Sequence, residues 1–190
     1  MQQLTEIRWH ARAGQGAVTA AKLVADTALE ADQYIQAMPE YGPERMGAPI
    51  QAFTRLSTEP IDIHCNVADP DVVIVLDESL LPIVDVAKGL TKDGVIIVNT
   101  CSTPDQVRHE LGIDFGRVAT VDASGISLAT LKRDIPNTPM IGALAKVTGL
   151  FELEQVAEHL RHSFGKKFSQ EVVDANVASV TRAYEEVTSA

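Results

Sequence analysis

Residues Ala13–Ala17, near the start of the chain, have the composition of an anion-binding turn. They read Ala-Gly-Gln-Gly-Ala and follow an alternating, strand-like stretch, Leu4–Trp9, while apolar residues at helical spacing continue over 17–32. Small residues allow the backbone to approach a ligand, and the first turn of a helix presents free N–H groups to an anion. The segment is therefore a candidate phosphate site, with a tight strand-to-helix turn that binds nothing as the alternative.

The same segment does not have the full pattern of a dinucleotide site. The complete Gly-x-Gly-x-x-Gly motif is absent. No acidic residue ends the second apolar stretch, Tyr34–Met38, since Pro39 comes before Glu40. A carboxylate at that strand end would bind the ribose of NAD. An ordinary NAD site is therefore not favoured.

Length, composition and charge restrict the class of protein. A chain of 190 residues that is 45% hydrophobic can form one sizeable core, and no linker-like stretch divides it, so one domain over 1–190 is predicted. No apolar run is long enough for a signal peptide or a membrane span, so a cytoplasmic protein without membrane contact is expected. The net charge of -10 disfavours nucleic-acid binding, because it repels phosphate backbones.

Metal and cluster chemistry lacks its ligands in this sequence. Cys65 and Cys101 are the two cysteines, and they have no Cys-x-x-Cys spacing, so they cannot supply the four thiolates of an iron–sulfur cluster. Both are predicted to be small buried residues in a reducing compartment. The histidines show no ligand-like pairing with carboxylates, and no metal site is predicted.

Continuous β-branched runs predict the centre of a parallel sheet. Val72–Leu76 and Val95–Val98 are of the kind that is buried on both faces, and Val118–Val121 follows as a third strand. Helices must then cover both faces, and Leu80–Leu90 is predicted as a crossover helix. Ile50–Leu56 alternates like a half-exposed strand, and Pro60–Ile63 is a candidate for its antiparallel hairpin partner.

The last third of the chain is predicted to be helical. Its segments are Ile126–Lys132, Met140–Thr148, Leu153–Phe164 and Ser169–Val187. Together these elements predict an α/β fold of three layers, α/β/α. It has a Rossmann-like start, a mostly parallel sheet with room for antiparallel strands, and a helical C-terminal third.

Further motifs make the pattern more specific. The loop Glu40–Pro49 contains Tyr-Gly-Pro-Glu-Arg-Met-Gly, one strand ends in Arg55-Leu56-Ser57, and a core strand ends in Asn99-Thr100. Asn137–Gly149 reads Asn-Thr-Pro-Met-Ile-Gly-Ala-Leu-Ala-Lys-Val-Thr-Gly. With the glycine turn, these motifs resemble the gamma subunit of 2-oxoacid:ferredoxin oxidoreductases (the pyruvate synthase type), and the resemblance covers nearly the whole chain.

The resemblance implies one subunit of a multi-subunit, thiamine-dependent enzyme. In that family a 2-oxoacid such as pyruvate is oxidatively decarboxylated to acyl-CoA, carbon dioxide and reduced ferredoxin or flavodoxin. The alpha and beta subunits would hold thiamine diphosphate, and Mg and the 4Fe-4S clusters would also lie on partner subunits, which include delta. This chain, inactive alone, would help to bind the co-substrate coenzyme A and to assemble the complex.

Several alternatives stay open beside this interpretation. The 2-oxoacid could also be 2-oxoglutarate, a branched-chain 2-oxoacid or indolepyruvate, and the isolated chain could form a homodimer. A different enzyme, an independent nucleotide-binding oxidoreductase, is one rival. A scaffold or regulatory α/β domain that binds no cofactor is the other.

The residues expected to bind coenzyme A follow from the same resemblance. Backbone N–H groups, the forked donors of arginine and an amide at a strand end suit phosphate groups. As alternatives, Arg55 would lie on the solvent face of its strand, Arg45 would pair with a nearby glutamate or a partner subunit, and Asn99 would cap a turn. No catalytic residue is predicted. The cofactor-binding candidates are Gly14, Gln15, Gly16, Ala17, Arg45, Arg55 and Asn99.

The turn departs from the family pattern at two positions. Ala11 and Ala13 stand where the family usually has glycine. Alanine is costly wherever φ must be positive. Either these two positions have ordinary dihedral angles or the turn has a different shape.

Overall fold

A seven-stranded sheet and six helices form the protein in the computed structural model, which describes residues 4–39 and 46–190. Within these ranges, none of the helices is both long and apolar enough to cross a membrane. The strands are β1 (Leu4–Arg12), β2 (Tyr34–Pro39), β3 (Pro49–Ser57), β4 (Val72–Val75), β5 (Val95–Asn99), β6 (Arg117–Val121) and β7 (Thr188–Ser189). The helices are α1 (Ala17–Glu30), α2 (Pro104–Leu111), α3 (Ala123–Leu131), α4 (Asn137–Thr148), α5 (Leu153–Gly165) and α6 (Gln170–Glu186).

The sheet is mostly parallel, with antiparallel strands near its two sides. The strand order is β2-β3-β1-β4-β5-β6-β7. Strands β1, β4, β5 and β6 pair in parallel, while β3 runs antiparallel between β1 and β2, and β7 runs antiparallel to β6. Five strands therefore point in one direction and two in the other. The predicted sheet is confirmed, including its antiparallel strands.

Two apolar cores cover the two faces of the sheet. On β4, Ile74 packs into the core shared with α1, α4, α5 and α6, whereas its neighbours Val73 and Val75 pack into the opposite core. Successive side chains of a strand point to opposite faces, so a run of apolar residues serves both cores. The second core is closed by residues 80–90 and α2. The three-layer α/β/α prediction is confirmed.

The predicted crossover helix over Leu80–Leu90 is wrong. A 3-10 turn, Glu78–Leu80, begins this segment, and irregular turns follow. The guanidinium of Arg8, buried on β1, donates to the backbone carbonyl oxygens of Val86 at 3.1 Å and of Lys88. Gly89 has φ 73°, which lies outside the helical range. The contacts with Arg8 fix the segment against β1, and its apolar residues still face the core.

The predicted hairpin between Pro60–Ile63 and β3 is also wrong, because β2 takes that position beside β3. The side chain of Arg55, on β3, forms hydrogen bonds with both neighbouring strands. Its Nε donates to Oε1 of Glu6 on β1 at 2.7 Å, and its Nη1 donates to Oε1 of Gln36 on β2 at 3.2 Å. The side chain of Arg55 is only 1% exposed, so it crosslinks β1, β2 and β3 from inside the protein.

His10 is buried beside Arg8 on β1 and is held neutral there. Its Nε2 accepts a hydrogen bond from Nε of Arg8 at 3.1 Å. Burial, and then the positive charge of Arg8, lower the pKa of His10 from 6.5 to about 3. A proton on His10 would place a second positive charge next to Arg8 in the same buried position.

Protonation of His10 is expected to contribute to acid unfolding. The folded pKa of about 3 lies below the ordinary value of 6.5, so the unfolded chain binds more protons between these values and stability falls as the pH falls from 6.5 towards 3. At about pH 4.5 the loss from this residue is about 3 kcal/mol, since one pKa unit corresponds to about 1.4 kcal/mol. Urea unfolding of His10→Gln at pH 7 and pH 4.5 should therefore show a smaller loss than the wild type shows. Parallel losses in the two proteins would contradict the prediction.

Candidate functional site

The carboxyl ends of four parallel strands, β1, β4, β5 and β6, lie side by side at one edge of the sheet. Open α/β sheets bind ligands at this edge. Strand β1 delivers the glycine turn to it, β4 delivers Asp77–Ser79, β5 delivers Asn99 and Thr100, and β6 delivers Asp122–Ser124. We call this region the carboxyl edge and treat it as the candidate functional site.

The glycine turn, residues 13–16, requires glycine at two positions. Gly14 has φ 102° and Gly16 has φ 84°, a region that other residues rarely adopt. At Gly16 a Cβ atom would also lie 2.5 Å from Nδ2 of Asn137. Ala11 and Ala13 are not among the described residues with positive φ. The two alanines therefore have ordinary dihedral angles, which settles the alternative left by the sequence.

Helix α1 begins directly after this turn. Ala17 is its first residue, and the N-cap residue Gly16 has no side chain to accept a hydrogen bond from the first helical turn. The N–H groups at the start of α1 thus lack a capping side chain, and the positive end of the helix dipole lies with them. Val18 and Thr19 are exposed at this point. The turn and the helix start together have the donors that a phosphate group needs.

The side chain of Gln15 braces the turn. Its Oε1 accepts a hydrogen bond from the backbone N of Arg12 at 2.8 Å, and its Nε2 donates to Oδ2 of Asp77 at 2.7 Å. Both ends of the amide are engaged within the protein. This geometry does not support the expected contact between the Gln15 amide and a phosphate.

The side chain of Arg12 connects the turn to its neighbours. Its Nε and Nη2 donate to Oγ of Ser79 at 3.0 and 2.8 Å, and its Nη1 donates to the carbonyl oxygen of Gly47 at 3.0 Å. A backbone hydrogen bond of 2.8 Å from Ala13 to Ala48 joins the same two segments. The chain that leads into β3 is therefore fixed along the turn.

The carboxylate of Asp77 holds this network together. It accepts hydrogen bonds from Gln15 and from the backbone N and hydroxyl of Ser79, and it lies 3.4 Å from Nε of Arg12. Burial alone raises the pKa of Asp77, but the hydrogen bonds from Ser79 and Gln15 and the charge of Arg12 outweigh burial and lower it. Sequence reasoning missed Asp77, although a carboxylate just after a buried parallel strand is a signal for this edge.

Asn99 is placed at the strand end where it was expected, but its amide is engaged. Its Nδ2 donates to the carbonyl oxygen of Leu76 at 2.9 Å and to Oγ of Ser124 at 3.0 Å. Its Oδ1 accepts from the backbone N of Ser124 at 3.0 Å. Asn99 thus joins β4 and β5 to the start of α3, and this geometry does not support direct contact with a ligand.

Two further features of the carboxyl edge concern its chemistry. Cys101 is exposed there, and Cys65 is exposed elsewhere, so the prediction that both cysteines are buried is wrong. The negative charge of Asp122, and then burial, raise the pKa of the Cys101 thiol, which makes it a weak nucleophile. Among the described residues, no group of three His, Cys, Asp or Glu side chains is arranged to hold a metal ion.

Of the two arginines expected to bind phosphate, the structure describes only Arg55. Arg45 lies outside the described residues. Arg55 pairs with Glu6, which precedes Arg12 by about 20 Å along β1, at about 3.3 Å per residue. Its buried ion pair agrees neither with a phosphate contact at the carboxyl edge nor with the solvent-facing alternative.

The fold and this edge define an α/β protein with a glycine turn at the carboxyl ends of its parallel strands, and known proteins are similar to it. Residues 6–186 match the family model described as pyruvate ferredoxin/flavodoxin oxidoreductase. The chain is 50% identical to pyruvate synthase subunit PorC of Thermotoga maritima, over 96% of this chain and 94% of that protein. It is 48% identical to the pyruvate/ketoisovalerate oxidoreductases common subunit gamma of Thermococcus kodakarensis, over 85% and 87% of the two chains.

A solved structure agrees with these relatives. The crystal structure of the pyruvate oxidoreductase subunit from Thermotoga maritima has a TM-score of 0.88 at 46% identity, and the match covers 100% of this chain and 99% of that one. The chain belongs to the pyruvate ferredoxin/flavodoxin oxidoreductase family. It is a gamma-type subunit of a 2-oxoacid:ferredoxin oxidoreductase, as the resemblance predicted, and works with other subunits.

The Asp77 network is expected to contribute measurably to stability. In Asp77→Asn the charge opposite Arg12 is lost and one acceptor becomes a donor, so the free energy of unfolding should fall by about 2 kcal/mol, as for hydrogen bonds to a charged group. Because the pKa of Asp77 is lowered in the folded state, its contribution is present above the ordinary carboxyl pKa and is lost as the pH falls through the folded value. Urea unfolding at pH 7 measures the loss.

The exposed Asp93, at the opposite edge of the sheet, provides the matched control. Asp93→Asn removes the same charge and should change the free energy of unfolding by less than about 0.5 kcal/mol, as is usual for surface positions. Equal stabilities of Asp77→Asn and Asp93→Asn would show that the network does not hold the turn.

Proposed function

We propose that this subunit binds coenzyme A at the carboxyl edge of its sheet. A phosphate group of coenzyme A would accept hydrogen bonds from the backbone N–H groups of Gly14, Gly16 and Ala17, and the positive end of the α1 dipole would favour its charge. The backbone N–H of Gln15 already donates to the carbonyl oxygen of Arg12 at 3.1 Å, so Gln15 shapes the turn. The observation that carries the proposal is the turn itself. Two glycines, with φ of 102° and 84°, lead into a helix start without a capping side chain.

The other candidate residues have different roles in this proposal. The side chains of Gln15 and Asn99 position the backbone around the site, since their amides are bonded within the protein. Arg45 remains a proposed phosphate partner. It precedes Met46 and Gly47 in the sequence, and the carbonyl oxygen of Gly47 accepts a hydrogen bond from Arg12 beside the glycine turn. Arg55 is assigned to the support of β1 and not to the ligand.

The complex as a whole is proposed to convert a 2-oxoacid, coenzyme A and oxidised ferredoxin or flavodoxin into acyl-CoA, carbon dioxide and the reduced carrier. Thiamine diphosphate would be held by the alpha and beta subunits, and Mg and the 4Fe-4S clusters would also lie on partner subunits, which include delta. The two cysteines of this chain are too few to ligate a 4Fe-4S cluster. The task left to this chain is to hold coenzyme A so that its thiol reaches the reaction centre on those partners.

The choice of 2-oxoacid is not assigned to this chain. The Thermococcus kodakarensis relative is named as common to pyruvate and ketoisovalerate oxidoreductases, which supports a gamma subunit that serves more than one substrate. Pyruvate is the proposed substrate, with 2-oxoglutarate, branched-chain 2-oxoacids and indolepyruvate as alternatives. Residues 1–190 would act as one domain in the cytoplasm, where thiols stay reduced.

The Gly16→Ala variant of the assembled complex tests the site. A Cβ at this position would lie 2.5 Å from Nδ2 of Asn137, which must move aside, and the residue would be strained at φ 84°. We expect this strain to shift the turn and its N–H groups. The KM for coenzyme A should rise about tenfold or more, the equivalent of losing about one charge-assisted hydrogen bond. Initial rates of ferredoxin reduction at varied coenzyme A and saturating pyruvate measure the change, and Arg45→Ala should act in the same direction.

Gly112→Ala is the matched control for this test. Gly112 also has a positive φ, 63°, but no atom lies within 4 Å of the Cβ that would be added, and it stands at the end of α2. It carries the same type of backbone strain and should leave the KM for coenzyme A unchanged. If Gly16→Ala and Arg45→Ala both keep the wild-type KM, the cofactor-free scaffold function is favoured over coenzyme A binding.

A further inference from the structure

A large groove lies between the end of α3 and the start of α6. Its cavity volume is about 740 Å³. Several of the side chains that line it are apolar yet exposed: Phe168 is 51%, Val172 39% and Ile135 36% exposed. Phe164 lies beneath Phe168, with ring centroids 5.5 Å apart in an edge-to-face contact. We call this region the α3–α6 groove; apolar side chains gathered and exposed in this way are typical of protein interaction sites.

Positive charge surrounds the α3–α6 groove in a protein whose net charge is -10. Lys132 and Arg133 line it and are exposed. Lys166 and Lys167 stand beside it in the chain, between Phe164 and Phe168, and are also exposed. This is a local concentration of cations next to an apolar surface, opposite in sign to the chain as a whole.

The carboxylates near the groove do not cancel this pattern. Glu171 is the acidic residue of the lining. Asp134 and Asp174 flank the lining and keep their charge, although their Oδ1 atoms accept hydrogen bonds from Oγ of Ser124 and from Nε2 of Gln170. Three carboxylates therefore stand against four cations, and a small positive excess remains. The groove is thus best complemented by a surface that carries apolar side chains and additional carboxylates.

The groove adjoins the carboxyl edge. Asn137 and Thr138, at the start of α4, line it. Nδ2 of Asn137 donates to the carbonyl oxygen of Gly16 at 3.4 Å, so the same side chain contacts the glycine turn. An occupant of the groove would lie next to the coenzyme A bound at that turn.

We propose that the α3–α6 groove receives an acidic, amphipathic segment of the thiamine-binding subunits of the complex. The inference rests on the proposed function: the thiol of coenzyme A must reach a reaction centre on those subunits, so they must approach the carboxyl edge beside the groove. Their segment places apolar side chains on Phe168 and Val172 and carboxylates opposite Lys132 and Arg133. The exposed anchors supply affinity, and the charges supply orientation and rate of association.

Charge reversal at the groove tests the proposal on the protein as a subunit. The double variant Lys132→Glu/Arg133→Glu is immobilised, and its affinity for the co-expressed alpha, beta and delta subunits is measured by biolayer interferometry. The dissociation constant should rise about tenfold or more, and the association rate of the wild type should fall with added salt more steeply than that of the variant. The double variant Lys88→Glu/Lys92→Glu, exposed on the opposite layer, makes the same change in charge and should stay within about twofold of the wild type.

Removal of the apolar anchor is the second arm. Phe168→Ser should also raise the dissociation constant about tenfold, as expected when an interface anchor is truncated. Since Phe168 is half exposed, its thermal unfolding should stay close to that of the wild type. If Phe168→Ser fails to fold, Val172→Ser on α6 replaces it with the same expected result. Wild-type affinity in both the charge and the anchor variants overturns the proposal.

Two further measurements separate the remaining explanations. Calorimetric titration of the isolated chain with coenzyme A reports on the proposed function alone: binding retained by Lys132→Glu/Arg133→Glu supports a defect confined to subunit contact. If the wild-type chain binds no coenzyme A while the charge reversal still weakens assembly, the proposed function is wrong and the interface is retained.

Light scattering on the isolated chain tests whether a second copy of this chain occupies the groove. A homodimer that the charge reversal dissociates, with unchanged affinity for the other subunits, overturns the proposal.

Discussion

Strand β1 is bonded on both sides, antiparallel to β3 and parallel to β4, and the rest of the structure depends on this double pairing. Each polar side chain buried on a strand in this position needs a hydrogen-bond partner within the protein. Arg8 does so by donating to backbone carbonyls of the loop over the second core, and His10 does so by staying neutral as the acceptor from Arg8. The strand then ends at a fixed point, and the glycine turn begins there.

The carboxyl edge is organised as a rigid frame around a set of backbone donors. Gln15 and Asn99 are the side chains that chemistry would first assign to a ligand, yet both amides are consumed by neighbouring strands and turns. Asp77 holds the frame through Gln15 and Arg12. A site of this type recognises an anion through N–H groups whose positions are set in advance, so little conformational entropy is lost when the anion binds.

In the proposed function, the carboxyl edge is where this subunit contributes to the complex. Backbone N–H groups at the start of α1 lie near a groove lined by apolar and positively charged groups. The exposed thiol of Cys101 has a raised pKa. The position of the groove beside the glycine turn fits a surface where several subunits meet around one ligand.

The amino-acid sequence by itself determined the three layers and the parallel centre of the sheet, because continuous β-branched runs are a local pattern. Its motifs along nearly the whole chain also identified the family by resemblance. It also located Gly14 and Gly16, whose positive φ no larger residue adopts cheaply. Only the tertiary structure decided what the polar side chains do. The segment Leu80–Leu90, predicted as a helix, is a loop whose carbonyls accept hydrogen bonds from Arg8, and Arg55 is a buried crosslink instead of a phosphate ligand. Hydrogen bonds between residues distant in the chain decide such outcomes, and their partners cannot be read from local sequence.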